Sequence, residues 1–166
     1  LGPKEYLYEM LKLIDETEIE LLVIGGDIAN HYSLTLSFVE ELQHDAGIPV
    51  YFIPGNHDYW EEKDEPKTTI KIYEMYREHP QSLLESPKKL TDEYTLVGHT
   101  AWYNHAIYNK EAFTENQIEK GKYRWTYWQD KLRLDWQAKD SEVSAYFTEK
   151  IHEYLQKVTT SKIILQ

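Results

Sequence analysis

Residue types that handle metals and phosphates fall together twice in this chain. Gly25-Gly26-Asp27-Ile28-Ala29-Asn30 offers a carboxylate and an amide. Gly55-Asn56-His57-Asp58 offers an amide oxygen, an imidazole and a second carboxylate. Each stretch alone has a plain structural reading: glycine permits a turn, Asp caps a helix or closes an Asx-turn, and Asn-His-Asp is ordinary turn chemistry. The pair carries more. Oxygen and imidazole ligands of this kind suit hard divalent cations. Two such cations about 3.5–4 Å apart form a standard device for in-line phosphoryl transfer to water.

The elements around the two stretches decide whether they meet. Leu7, Met10, Leu11 and Ile14 recur at helical spacing, which predicts a helix over roughly 3–17. Leu21-Leu22-Val23-Ile24 is a short continuous apolar run and reads as a strand buried on both faces. Ser33 is placed to cap a helix with Leu34, Phe38, Val39 and Leu42 on its apolar stripe, and Gly47 marks its stop. Residues 48–53 read as a second buried strand. Together these form one β-α-β unit, whose crossover makes the strands parallel. Both carboxyl ends then lie on one sheet edge, where ligands of open α/β sheets bind. Asp27 and Asn56 are therefore expected to be close in space.

Farther along, residues 61–67 read as a charged loop and a short helix runs from about Ile70 to Arg77, before Pro80. Tyr94 to Val97 reads as a third strand. Asp140 is expected to cap a last helix carrying Val143, Phe147, Ile151, Leu155 and Val158, and Ile163-Ile164-Leu165 to begin a fourth, core strand. Residues 101–136 lack clean periodicity and are crowded with Trp and Tyr. They read as an aromatic-rich insertion or cap over the carboxyl edge. Packing explains such rings most simply; a wall that stacks on a nucleobase and a protein-binding surface are the functional alternatives.

Composition narrows the function classes. The 166 residues suit a single domain spanning 1–166. A formal net charge of -11 repels nucleic-acid phosphates, which argues against long nucleic acid as a partner. It leaves room for a small phosphorylated substrate at a metal-bearing site. The chain has no cysteine, so it holds neither disulfides nor a thiol nucleophile, and this fits a cytoplasmic setting. No apolar run is long enough to span a membrane.

The two stretches, in their order, spacing and strand-helix-strand context, resemble the second and third motifs of the calcineurin-like metallophosphoesterase superfamily, Gly-Asp-x-x-(Asp/Asn) and Gly-Asn-His-(Asp/Glu). The segments Gly98-His99-Thr100-Ala101-Trp102-Tyr103 and Trp128-Gln129-Asp130-Lys131 resemble a bacterial branch of poorly characterised phosphoesterases. The resemblance implies an α/β fold with a β-sandwich core flanked by helices. It also implies two divalent metal ions, such as Mn, Fe or Zn, and hydrolysis of a phosphate mono- or diester by a hydroxide bridging them. Carried over, Asp27 bridges the metals and Asn56 ligates one of them and touches the phosphate. His57 is the acid for the leaving oxygen, and Asp58 hydrogen-bonds His57 and fixes its tautomer. Asn30 would stabilise its loop through the backbone. His31 lies near enough to be a tentative substrate contact.

The superfamily's first and last motifs have no counterpart here. There is no Asp-x-His, and Gly98-His99-Thr100-Ala101 has Ala where Gly-His-x-His has its last His. His99 therefore reads as a strand-end residue, His105 as a neighbour of the pocket and His152 as a helix-surface residue. The expectation is a fold incomplete at both ends, with the remaining ligands outside Leu1–Gln166. The rival expectation is a non-catalytic binding scaffold on the same fold. A small-nucleotide binder using the aromatic segment without hydrolysis is a third.

Overall fold

A computed structural model describes residues 3–60 and 68–166. The expected loop at 61–67 lies outside the described residues.

Helix α1 (Pro3–Thr17) leads to strand β1 (Leu22–Ile24), helix α2 (Tyr32–Ala46) and strand β2 (Val50–Phe52). β1 and β2 pair in parallel, with Leu22 opposite Val50 and Ile24 opposite Phe52. This is the expected β-α-β unit. α2 ends where Gly47 adopts a left-handed φ of 66°, which a residue without Cβ takes at little cost. Its start differs by two residues from the capping role given to Ser33: His31 is the N-cap, and its ring nitrogen accepts from the Ser33 N–H. Leu7, Met10, Leu11 and Ile14 of α1 pack against Leu42 and Val50, one apolar cluster under the unit. Burying one such Leu is worth roughly 1.5–3 kcal/mol.

β1 is half-buried along its length, whereas Val50 and Phe52 of β2 are fully buried. The expectation of a doubly buried first strand therefore belongs to β2. β2 is bonded on its other side too: Phe52 N–H donates to Gln81 O at 3.0 Å and Leu83 N–H to Phe52 O at 3.1 Å. Among the described residues, β1 has no second partner strand.

A 3-10 turn (His57–Tyr59) follows β2, and α3 (Thr69–Glu78) ends just before Pro80. Strand β3 (Lys88–Lys89) pairs antiparallel with β4 (Tyr94–Val97). The aromatic segment then contains helix α4 (Glu115–Lys120), a small hairpin of β5 (Lys122–Tyr123) and β6 (Thr126–Tyr127), and one turn of helix α5 (Asp130–Arg133). Helix α6 (Asp140–Lys157) leads to β7 (Lys162–Leu165), which returns parallel to β4.

The α/β class stands, with three small sheets among the described residues; a full sandwich is more than these short strands display. β7 departs from the expected core strand, because all four of its residues are exposed. Asp140 is the first residue of α6 and does not cap it. Its carboxylate instead accepts from Trp102 Nε1 and pairs with Lys131 and His105. The main core lies between β2, α3, β4 and α6, and it takes in Trp102 and Trp136 from the aromatic segment. One half of the cap reading is thus structural. The carboxyl ends of β2 and β4 are tied together where Thr100 Oγ1 donates to Pro54 O at 3.0 Å.

Candidate functional site

The loop after β1 and the loop after β2 touch through their backbones. Gly26 has φ +95°, and a Cβ there would lie 2.5 Å from the Gly55 nitrogen. A Cβ on Gly55 would strike the Asp27 carboxylate and lie 2.6 Å from the Asp27 nitrogen. Only glycine at both positions lets the strand ends approach this closely. Asp27 itself holds a left-handed φ of 54°, strained for a residue with a side chain. The product of this approach is a direct link between the loops: His57 N–H donates to Asp27 Oδ1 at 3.2 Å. The residues expected to meet therefore do.

Asp58 does not bond His57, which corrects the expected acid-orienter pair. Its carboxylate is fully buried and turned inward. One oxygen accepts from Ala29 N–H at 2.9 Å and Thr35 Oγ1 at 2.7 Å, and the other accepts from Gly55 N–H at 2.8 Å. Asp58 thus clamps both loops to α2. Burial pushes its pKa up against the opposing pull of these three donors, and the nearby Asp27 charge adds to the rise.

The orienter of His57 is Asn30. Its side-chain Oδ1 lies 2.7 Å from His57 Nδ1, so the ring donates from Nδ1 and leaves Nε2 for other work. Asn30 was expected to act through its backbone; its side chain carries the contact. The His57 ring also stacks on Trp60, with centroids 3.8 Å apart.

Asn56 is held by Asp130, a residue in the aromatic segment. Its Nδ2 donates to both Asp130 oxygens, at 3.1 and 2.9 Å. Trp60 Nε1 and Tyr103 OH donate to the same carboxylate, each at 2.7 Å. With its amide nitrogen turned to Asp130, Asn56 presents its side-chain oxygen to accept or ligate, and that oxygen has no hydrogen-bond partner among the described residues. Burial and the bond to Asp130 push the Tyr103 phenol pKa up, so Tyr103 stays a donor. The only hint of Asp130 in the sequence was its place in Trp128-Gln129-Asp130-Lys131.

The other histidines take structural posts. His31 caps α2, stacks on Tyr32 and receives the Ser33 hydroxyl at 2.7 Å. His99 is buried at the end of β4, its Nδ1 3.1 Å from Thr100 O and its Nε2 3.3 Å from Tyr73 OH. Burial holds its pKa below the ordinary value. His105 bonds Asp140 at 2.9 Å and borders the same hollow as His57. His152 is exposed on α6.

Asp27 and the Asn56 side-chain oxygen are the right donors for a hard divalent cation. They are too few: among the described residues no group of three or more His, Asp or Glu is arranged to hold a metal ion. No helix among the described residues is long and apolar enough to cross a membrane.

The family model described as calcineurin-like phosphoesterase matches residues 2–165. No curated protein and no solved structure matches the chain at a significant level. The general activity of that family is metal-dependent hydrolysis of phosphoesters. With the match running over nearly the whole chain, and with Asp27, Asn56 and His57 gathered at one sheet edge, the chain belongs to the calcineurin-like phosphoesterases.

Proposed function

We propose that this chain hydrolyses a phosphate mono- or diester, with His57 as the acid that protonates the leaving oxygen. The observation that carries the reading is the bond between Asn30 Oδ1 and His57 Nδ1 at 2.7 Å. It aims Nε2 away from the loop while the His57 backbone stays attached to Asp27. A ring held in this way keeps its Nδ1 proton on Asn30 and can deliver a second proton from Nε2. Asn30 is uncharged, so it fixes the ring without bringing another carboxylate to a site that must accept a phosphate. Trp60 limits the tilt of the ring from below.

Divalent metals, when bound, would polarise the phosphoryl group and activate water. Asp27 and Asn56 are the residues of this chain that would face them. Asp130 turns the Asn56 oxygen toward that task by holding the amide nitrogen. The small phosphorylated substrate expected from the net charge of -11 fits this reading.

One observation favours the rival, a binding module without turnover: two donors among the described residues do not enclose a metal. Metal analysis of the purified protein, paired with turnover of a chromogenic phosphoester in manganese, separates the two. Bound metal with turnover supports hydrolysis. Absence of both across several divalent metals supports the binding module.

A further inference from the structure

Resting on the hydrolase reading, we propose that the hollow beside His57 receives a leaving group that carries a flat aromatic base, which makes the substrate a nucleoside phosphoester. The hollow has a volume of about 670 Å³, within the usual span of small-molecule sites, roughly 300–1,000 Å³. Asn56 and His57 line one end, and Phe113, Tyr123, Tyr127 and Trp128 line the wall.

The placement of His57 sets the direction. Asp27 and Asn30 border a different hollow, on the α1–α2 side. The His57 backbone is bonded to Asp27, while its ring borders the aromatic hollow. An acid must touch the leaving oxygen. The phosphoryl group therefore belongs near Asp27 and Asn56, and the group that departs belongs among the rings.

The rings differ from a packed cap in their exposure. Trp102 and Trp136 are buried in the core, whereas Tyr123 and Tyr127 remain 40% and 41% exposed. Trp128 is braced by Tyr103 and His105, with centroids at 4.4 and 5.2 Å, so one stacking face is preset. Lys122 Nζ lies 4.8 Å from the centre of the Tyr127 ring and puts positive charge on the wall of a chain with net charge -11. Flat rings with a nearby cation select a π face over an aliphatic chain.

The test compares kcat/KM for adenosine 5′-monophosphate and glycerol 2-phosphate in manganese. The wild type should favour the nucleotide by about ten-fold or more, the scale of one stacked base. Tyr127→Ala should cut that preference about ten-fold, and Tyr127→Phe, which keeps the ring, should retain it. Equal use of the two esters, or a preference unmoved by Tyr127→Ala, overturns the proposal. If neither ester is hydrolysed, the chromogenic assay across several metals decides the hydrolase reading, and adenosine binding followed by tryptophan fluorescence decides the pocket alone. Binding weakened about ten-fold by Tyr127→Ala upholds an aromatic-ligand site; no adenosine binding overturns it.

Discussion

Asn30 Oδ1 sits 2.7 Å from His57 Nδ1, while the carboxylate of Asp58, the next residue along the chain, faces the interior and bonds Ala29, Thr35 and Gly55. Orientation of the acid and fastening of the loops are thus divided between two residues. The division leads to separable outcomes when each is changed.

Asn30→Ala removes the acceptor that holds the His57 ring. Turnover of a chromogenic phosphoester should fall by about ten- to a hundred-fold, short of the full contribution of a general acid, with little change in the thermal midpoint. Asn30→Asp sets a carboxylate against Nδ1, favours the protonated ring and should move the alkaline limb of the pH–rate profile to higher pH. An unchanged profile and rate in both variants would remove Asn30 from the acid's support.

Asp58→Ala should act on stability. It takes the acceptor from the buried Thr35 hydroxyl and from two half-buried backbone N–H groups. An orphaned buried polar group costs about 1–3 kcal/mol and half-buried ones less, so a loss of about 2 kcal/mol or more is expected in urea unfolding. A variant as stable as wild type would contradict the clamp.

Asp130→Ala frees the Asn56 amide to rotate and leaves Trp60 Nε1 and Tyr103 OH without their acceptor. Manganese affinity should weaken about ten- to a hundred-fold, the usual effect of losing a partner behind a ligand. Asp130→Asn keeps one acceptor oxygen and should fall between. Metal titration with circular dichroism as the folding control checks this; wild-type affinity in Asp130→Ala would show that Asn56 needs no such support.

His99 gives the fold an acid limit. Burial lowers its folded pKa below the ordinary 6.5, so between those values the unfolded chain binds more protons. Stability is then fully present above pH 6.5 and is lost as pH falls through the folded value. Tyr73, Tyr154, Phe147 and the charge of Lys150 surround the ring and offer it no carboxylate. His79, also lowered by burial, adds a slope of the same sign. Thermal midpoints should drop from pH 7 to 5, and His99→Gln should flatten part of that drop. An equally steep drop in the variant would assign the effect elsewhere.

The β-α-β unit was legible because its signals are local: an apolar run before Gly25-Gly26, a helical stripe on α2 and Gly47 at its end. The meeting of Asp27 with the second loop followed from strand direction alone. The partner of His57 was not legible from adjacency. His57 and Asp58 lie in a 3-10 turn, where consecutive side chains leave the backbone in different directions and do not face each other. Asp130 was hidden for another reason. It lies 74 residues from Asn56, in a segment without periodicity, and only tertiary packing brings them together. β7 read as core from its Ile-Ile-Leu run, but apolar composition alone does not say whether another element covers a strand.

The central claim, that His57 is the acid of a metal-dependent phosphoesterase, is tested most directly by His57→Ala, with turnover and bound metal measured on the same preparation. His57 is read as touching the leaving oxygen and not the metal. The account therefore predicts that manganese-dependent turnover falls by about a hundred-fold or more while metal content stays near that of wild type. Undiminished turnover, or a loss of turnover that merely tracks a loss of metal, would contradict it.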